Sequence, residues 1–127
     1  MPPRKILVVD DQDEIREIIG ISLEQVDGWQ AVLAEPGSEV VLLAQSEQPD
    51  AIILDANMPG MDGPTTFNNL RANAQTQRIP VILLTASTQD EDRKRFASFG
   101  FAAVLAKPFD PLHLPAQIAE ALGWPMQ

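Results

Sequence analysis

AIILDANMPGMDG, residues 51–63, is the stretch that decides the fold of this chain. Four apolar residues lead to the carboxylate Asp55, and the residues that follow it are mostly turn formers. A short aliphatic run bounded by turn residues is typical of a strand buried on both faces of a sheet. Asp55 is therefore predicted to lie at the carboxyl end of a buried strand.

Three other aliphatic runs also end in polar side chains. Residues 6–9 lead to Asp10 and Asp11, residues 81–84 lead to Thr85, and residues 103–106 lead to Lys107. The carboxyl ends of parallel strands lie at one edge of a sheet, and doubly wound sheets place their sites there. We therefore expect three carboxylates, a hydroxyl and an ammonium group to share one crevice.

The segments between the strands carry apolar residues at helical spacing, which predicts α-helices. Asp13 is predicted to cap the first helix, and Gly28 to end it. Asp110 is predicted to begin the last helix; Pro115 then requires a later start or a kink, because an interior proline removes a hydrogen bond. Five strands alternating with five helices predict an α/β fold, a doubly wound (βα)5 sandwich around a parallel sheet.

Length and composition restrict the class of protein. The 127 residues, 45% of them apolar, predict a single domain over residues 1–127 with a core at about residues 4–123. A net charge of -9 disfavours nucleic acid and anionic membranes as partners. The chain has no cysteine and no apolar run near the roughly 20 residues of a membrane span, and its first residues lead us to expect no signal peptide. We expect a cytoplasmic protein.

The predicted crevice has a definite chemistry. Three neighbouring carboxylates repel one another and, if uncompensated, destabilise the fold, so a compensating cation is expected. A hard divalent cation such as Mg²⁺ prefers oxygen ligands, and Lys107 adds a fixed positive charge. A strand-end aspartate between a metal ion and an ammonium group can attack phosphorus, and Thr85 could donate to a phosphoryl oxygen.

Each of these residues also has a purely structural interpretation when it is taken alone. An acidic pair after a strand is often a helix cap, a strand-end threonine often bonds the backbone, and a lone lysine is usually solvated. The joint pattern at three or four strand ends favours a functional site over these separate interpretations.

At these residues the sequence resembles the receiver domains of two-component response regulators. The resemblance rests on the acidic pair Asp10-Asp11, on LDANMPGMDG around Asp55, on Thr85-Ala86 and on Lys107-Pro108-Phe109. It covers almost the whole chain.

The resemblance implies a role for each site residue. Asp55 would accept a phosphoryl group from a histidine kinase or a phosphotransfer protein. Thr85 and Lys107 would contact that group. Mg²⁺ would be held by Asp11 directly, by Asp10 typically through water, by Asp55, and by the backbone carbonyl of Asn57.

The resemblance also implies a flavodoxin-like sheet of order 2-1-3-4-5 and a cis bond before Pro108. It implies no enzyme activity beyond the domain's own phosphoryl transfer and autodephosphorylation. A downstream protein target would bind the face formed by helix 4, strand 5 and helix 5, with no nucleic acid or membrane bound by this domain. That face is expected to draw on five apolar residues, Phe96, Phe99, Phe101, Val104 and Leu112.

One position departs from the family pattern. The residue three before the lysine is usually Tyr or Phe in the family and moves inward with the threonine, but here it is Val104. Phe101 is a candidate substitute, although a Phe near a strand start is also a typical core residue.

Three alternative functions stay open. A Mg²⁺-dependent phosphohydrolase of the haloacid dehalogenase type also uses a strand-end aspartate, and DQDEI at residues 11–15 matches its motif in part. A flavin-binding domain shares the topology but needs a phosphate-binding loop where this chain has acids, which repel phosphate. A pseudo-receiver that binds partners without phosphorylation is favoured only by Val104.

Overall fold

The computed structural model describes residues 3–37, 39–56, 63–86, 94–96 and 98–125. The strands are β1 (Arg4–Val9), β2 (Trp29–Ala34), β3 (Ala51–Asp55), β4 (Val81–Thr85) and β5 (Ala103–Ala106). The helices are α1 (Asp13–Glu24), α2 (Glu39–Glu47), α3 (Gly63–Arg71), α4, of which residues 94–96 are described, and α5 (Leu114–Leu122).

All strand pairings are parallel, and the strand order is β2-β1-β3-β4-β5. The chain moves outward from β1 to β2 and then crosses back to β3 on the other side, so the order reverses at β1. Every residue of β3 and β4 is buried, as expected for central strands of a parallel sheet. The predicted fold and strand order are confirmed.

Alternate residues of the strands contribute to two apolar layers, one on each face of the sheet, because successive side chains of a strand point to opposite faces. Leu7 and Ile52 pack on one face with Phe67 of α3. Ile6 and Ile53 pack on the other. Among the described helices, none has the length and apolar character needed to cross a membrane.

Two predicted helix ends differ in the structure. Asp13 is the first residue of α1 rather than its cap; Gln12 occupies the cap position and makes no side-chain capping bond. The backbone N–H of Gln12 instead donates to the Asp10 carboxylate, so a residue of the predicted site organises this turn. The helix ends at Glu24, and Gly28, with φ +87°, lies in the turn that leads to β2.

The last helix begins later than Asp110 suggested. It starts at Leu114, which places Pro115 in the first turn, where its missing N–H has no helical partner to lose. Asp110 instead holds the preceding turn, since its carboxylate accepts from the backbone N–H of Leu112 at 2.9 Å. The Lys107–Pro108 bond is cis, as expected.

Gly63 sets how closely α3 approaches the end of β3. A Cβ at this position would lie 2.9 Å from the Asp55 carbonyl oxygen and 2.9 Å from a methyl of Leu83. We expect Gly63→Ala to lower the free energy of unfolding by about 2 kcal/mol, because backbone cannot yield as a flexible side chain does. Urea unfolding measures this loss.

Gly20→Ala is the matched control, since Gly20 is also buried and helical. Its Cβ would first meet a flexible methyl of Leu33 at 3.1 Å. Alanine favours a helix interior by up to about 1 kcal/mol over glycine, so the control should be neutral or stabilising. Equal losses in the two variants would contradict the close approach of α3.

Candidate functional site

The ends of β1, β3, β4 and β5 form one edge of the sheet. The pairing register places Val9 beside Leu54, Asp55 beside Leu84, and Thr85 beside Ala106. The predicted site residues of these strands therefore lie side by side. The backbone N–H of Lys107 donates to the Thr85 carbonyl oxygen at 2.8 Å, which fixes the start of the loop that follows β5.

Lys107 contacts both buried acids of the site. Its Nζ lies 3.0 Å from Asp55 Oδ1 and 3.3 Å from Asp10 Oδ2. Asp10 is fully buried and Asp55 is 4% exposed, so neither carboxylate can rely on bulk water. The ammonium group is therefore a fixed counter-charge for this pair, and the interpretation of Lys107 as a solvated surface lysine is wrong.

The pKa of Lys107 reflects this position. Burial is the largest single influence and would lower the pKa, but the hydrogen bond and charge of Asp55, together with Asp10, outweigh it. The net effect raises the pKa above its ordinary value of 10.5. The ammonium form is therefore retained at neutral pH.

Three carboxylates could hold a metal ion here. One oxygen each of Asp10, Asp11 and Asp55 lies within 4.8 Å of the others. Asp11 is exposed, so the cluster opens to solvent on its side. Three carboxylates and one ammonium group leave two formal negative charges, and all donors are oxygen. This donor set fits a hard divalent cation.

Asn57, the fourth predicted metal ligand, lies outside the described residues. Thr85 is described and is 1% exposed at the end of β4.

Sequence reasoning did not single out Arg16. Its Nη1 donates to the Asp10 carbonyl oxygen at 2.7 Å, and its Nη2 pairs with the Asp13 carboxylate. Arg16 follows Asp10 by six residues, so a helix predicted to start near Asp13 would allow the Arg16 side chain to contact the end of β1. The sequence does not show which oxygen atoms accept hydrogen bonds from the Arg16 guanidinium.

A groove beside the site was also not predicted. It has a volume of about 340 Å³ and lies between the start of α1 and the loop after β5. It is lined by Gln12, Ile15, Ile18, Ala86, Lys107, Pro108, Phe109 and Pro111. A largely apolar surface therefore adjoins the lysine of the acidic cluster.

The apolar residues expected near α4, β5 and α5 divide into two groups. Phe96 and Phe101 are buried in the core, and Val104 packs against the same cluster. Phe99 and Leu112 are exposed. Leu112 faces α1 rather than α4, because it lines a small cavity with residues 22, 25 and 26.

Phe101 is a core residue in this structure. Its ring lies 4.2 Å from the ring of Phe67, centroid to centroid, and Arg71 of α3 donates to the Gly100 carbonyl oxygen at 3.0 Å. The aromatic ring before β5 is thus already packed on α3. Val104 itself is half-buried.

These observations define an α/β domain with a parallel, doubly wound sheet whose strand ends present an acidic, oxygen-rich site and a half-buried lysine. Residues 6–119 match the model of the response regulator receiver domain. The chain belongs to that family and is a receiver domain of the two-component type.

Known relatives agree with this assignment. The chain is 40% identical over 115 residues to the phosphate regulon transcriptional regulatory protein PhoB of Escherichia coli, covering 91% of this chain and 50% of that protein. It is 33% identical over 119 residues to the alkaline phosphatase synthesis transcriptional regulatory protein PhoP of Bacillus subtilis, covering 94% and 48%. The chain spans about half the length of these relatives.

Solved structures show the same architecture. The chemotaxis response regulator CheY4 of Vibrio cholerae superposes with a TM-score of 0.84 at 31% identity, over 94% of this chain and 98% of that one. The receiver domain of the sensor histidine kinase PA1611 from Pseudomonas aeruginosa PAO1 gives 0.82 at 30% identity, over 95% and 98%. Its structure has a magnesium ion coordinated in the active site cleft.

Proposed function

We propose that this receiver domain is a signalling switch that accepts a phosphoryl group on Asp55. The observation that carries the proposal is the position of Lys107 Nζ, 3.0 Å from Asp55 Oδ1 and beside the acidic cluster. An ammonium group at that distance can pair with the Asp55 carboxylate before phosphorylation. After phosphorylation it can pair with the negatively charged phosphoryl oxygens. A histidine kinase or a phosphotransfer protein is the proposed donor.

The chemistry assigned to the chain is a single transfer. A carboxylate oxygen of Asp55 forms a bond to phosphorus while the bond from phosphorus to the donor nitrogen breaks, and the imidazole leaves with the electron pair. Lys107 stabilises the negative charge of the phosphoryl oxygens. The Thr85 hydroxyl is proposed to donate to one of them.

The proposed metal ion is Mg²⁺, as in the PA1611 receiver domain. Asp11 would bind it directly, Asp10 through water, and Asp55 and the Asn57 carbonyl would complete the protein ligands. Bound there, Mg²⁺ would neutralise charge on the incoming group. The cluster of three carboxylates supports this assignment because its charge is only partly balanced by Lys107.

The donor is proposed to dock in the groove beside Lys107. Ile15, Ile18 and Phe109 give this groove apolar walls, and Lys107 connects it to Asp55. A donor protein seated there would lie next to Lys107, whose ammonium group pairs with Asp55. The proposal includes a cytoplasmic location and a single domain over residues 1–127.

The proposal limits catalysis to the domain's own phosphorylation and autodephosphorylation. Incubation with acetyl phosphate and Mg²⁺ should yield about one phosphoryl group per chain by intact mass, because Asp55 is the carboxylate that the lysine pairs with at 3.0 Å. A chelator should abolish the modification, since the cluster then lacks the cation that the attack requires.

Control reactions separate this proposal from the phosphohydrolase alternative. Steady release of phosphate from an ester such as p-nitrophenyl phosphate would favour a hydrolase. Modification that persists in excess chelator would contradict the metal requirement.

The output face is proposed to be formed by α4, β5 and α5. Phe99 is the exposed aromatic residue of this face that the structure describes, and its ring lies 6.1 Å from the ring of Phe101. A phospho-aspartate adds close to two negative charges beside Thr85 and Lys107, which can shift the population of two loop arrangements. A downstream protein target would recognise the shifted arrangement.

Amide chemical shifts test the output face. With beryllofluoride and Mg²⁺ as a phosphorylation mimic, we expect changes at Phe99, Val104 and Ala106 that exceed those at Trp29 and Gln30, at the opposite end of the sheet. Couplings of this type are roughly 1 to 3 kcal/mol, so partial shifts are the expected size. An unchanged face with clear shifts at Asp55 would contradict the assignment of this output face.

A further inference from the structure

Arg16 is a charged residue of α1 that the phosphoryl chemistry does not use. Its side chain is only 11% exposed, although it lies within the first turns of a surface helix. Nη1 donates to the Asp10 carbonyl oxygen at 2.7 Å, and Nη2 pairs with Asp13. The guanidinium therefore links the backbone at the end of β1 to the start of α1.

All three acceptor oxygens of Asp10 are engaged. Oδ1 accepts from the Gln12 N–H at 2.9 Å, Oδ2 contacts Lys107 at 3.3 Å, and the carbonyl oxygen accepts from Arg16. Asp10 is fully buried. Its peptide unit leads directly to Asp11, whose exposed carboxylate is the solvent-facing member of the cluster.

The contribution of Arg16 is one of geometry rather than of charge. Asp13 neutralises the guanidinium, so Arg16 does not offset the charge of the three clustered carboxylates. Its hydrogen bond instead fixes the Asp10 carbonyl, and with it the direction in which the chain presents Asp11. Groups that orient metal ligands typically change affinity by about 10- to 100-fold.

We propose that Arg16 is a positioning residue for the divalent cation, holding the peptide between Asp10 and Asp11 so that the carboxylates of Asp11 and Asp55 face one ion. This inference rests on the proposed function, because it requires that the acidic cluster binds Mg²⁺. Lysine can reproduce the role only in part, since one ammonium lacks the planar fork that reaches both Asp10 and Asp13.

The test is the Mg²⁺ dissociation constant of the full chain. It is obtained by titrating Mg²⁺ and recording the amide chemical shifts of residues 10–12, at a temperature below the unfolding temperature. Arg16→Met is expected to raise the constant about tenfold, the lower end of the effect of groups that orient ligands. Arg16→Lys should raise it less, because it can keep one hydrogen bond to the Asp10 carbonyl. Arg78→Met, at an exposed arginine near the opposite end of the sheet, is the control and should leave the constant unchanged.

The outcomes separate this inference from the proposed function. If the wild type binds no Mg²⁺, the proposed function fails. If the wild type binds Mg²⁺ and Arg16→Met binds it equally well while losing only thermal stability, Arg16 is structural and the inference is overturned. If Arg16→Met does not fold, Arg16→Lys replaces it, and a wild-type constant in that variant counts against the inference.

Discussion

Replacing Lys107 with methionine is expected to lower the free energy of unfolding of the metal-free protein by about 2 to 3 kcal/mol. The substitution removes the ammonium group that lies 3.0 Å from Asp55 and 3.3 Å from Asp10, leaving two buried carboxylates without their common cation. Losing one partner of a fully buried ion pair costs about 3 to 5 kcal/mol. The expected value is lower because the Lys107 side chain remains 21% exposed.

Urea unfolding in chelator measures this loss, with Lys94→Met, at an exposed lysine of α4, as the control. Saturating Mg²⁺ should restore part of the stability of Lys107→Met, because a ligand that binds only the folded state stabilises it. The double variant with Asp55→Asn should lose less than the sum of the single variants, because a neutral amide at position 55 leaves one buried charge rather than two. Strict additivity would show that Lys107 and Asp55 are not coupled.

The pH dependence has a definite sign. The pKa of Lys107 is raised in the folded state, because the hydrogen bond and charge of Asp55, together with Asp10, outweigh the opposing effect of burial. A raised pKa adds stability that is fully present below the unfolded pKa and is lost as the pH rises through the folded one. The wild type should therefore lose this contribution above pH 10.5, and Lys107→Met should not.

The strand ends could be predicted from sequence because buried parallel strands have a simple pattern. Residues 51–54 and 81–84 are uninterrupted aliphatic runs, and all of them are buried in the structure. A polar residue after such a run lies where the strand ends, so the sequence placed Asp55 and Thr85 at the edge of the sheet, although both side chains are buried there. The same argument placed Asp10 and Lys107.

Helix ends were harder to predict because local rules compete with contacts made elsewhere in the fold. Asp13 is a residue type that is common at helix caps. In the structure, however, the backbone N–H of Gln12 donates to the Asp10 carboxylate, and Asp13 pairs with Arg16. The contact between Gln12 and Asp10 and the pairing of Arg16 with the Asp10 carbonyl and Asp13 both depend on the position of β1 relative to α1. Sequence spacing does not fix that position.

Contacts between distant segments lay beyond sequence reasoning. The groove beside Lys107 joins side chains of α1 to the loop after β5, about ninety positions later in the chain. The packing of Phe101 on Phe67 likewise depends on how α3 lies against β5. The sequence showed that Val104 departs from the family pattern, and only the structure showed that Phe101 is already buried on α3.

The identity of the phosphoryl acceptor is tested most directly by intact mass after incubation with acetyl phosphate and Mg²⁺, comparing the wild type with Asp55→Asn. The wild type should gain the mass of one phosphoryl group. Asp55→Asn should gain none, since its amide cannot act as the nucleophile. Modification of Asp55→Asn to the wild-type extent, or an unmodified wild type, would contradict the assignment of Asp55 as the acceptor.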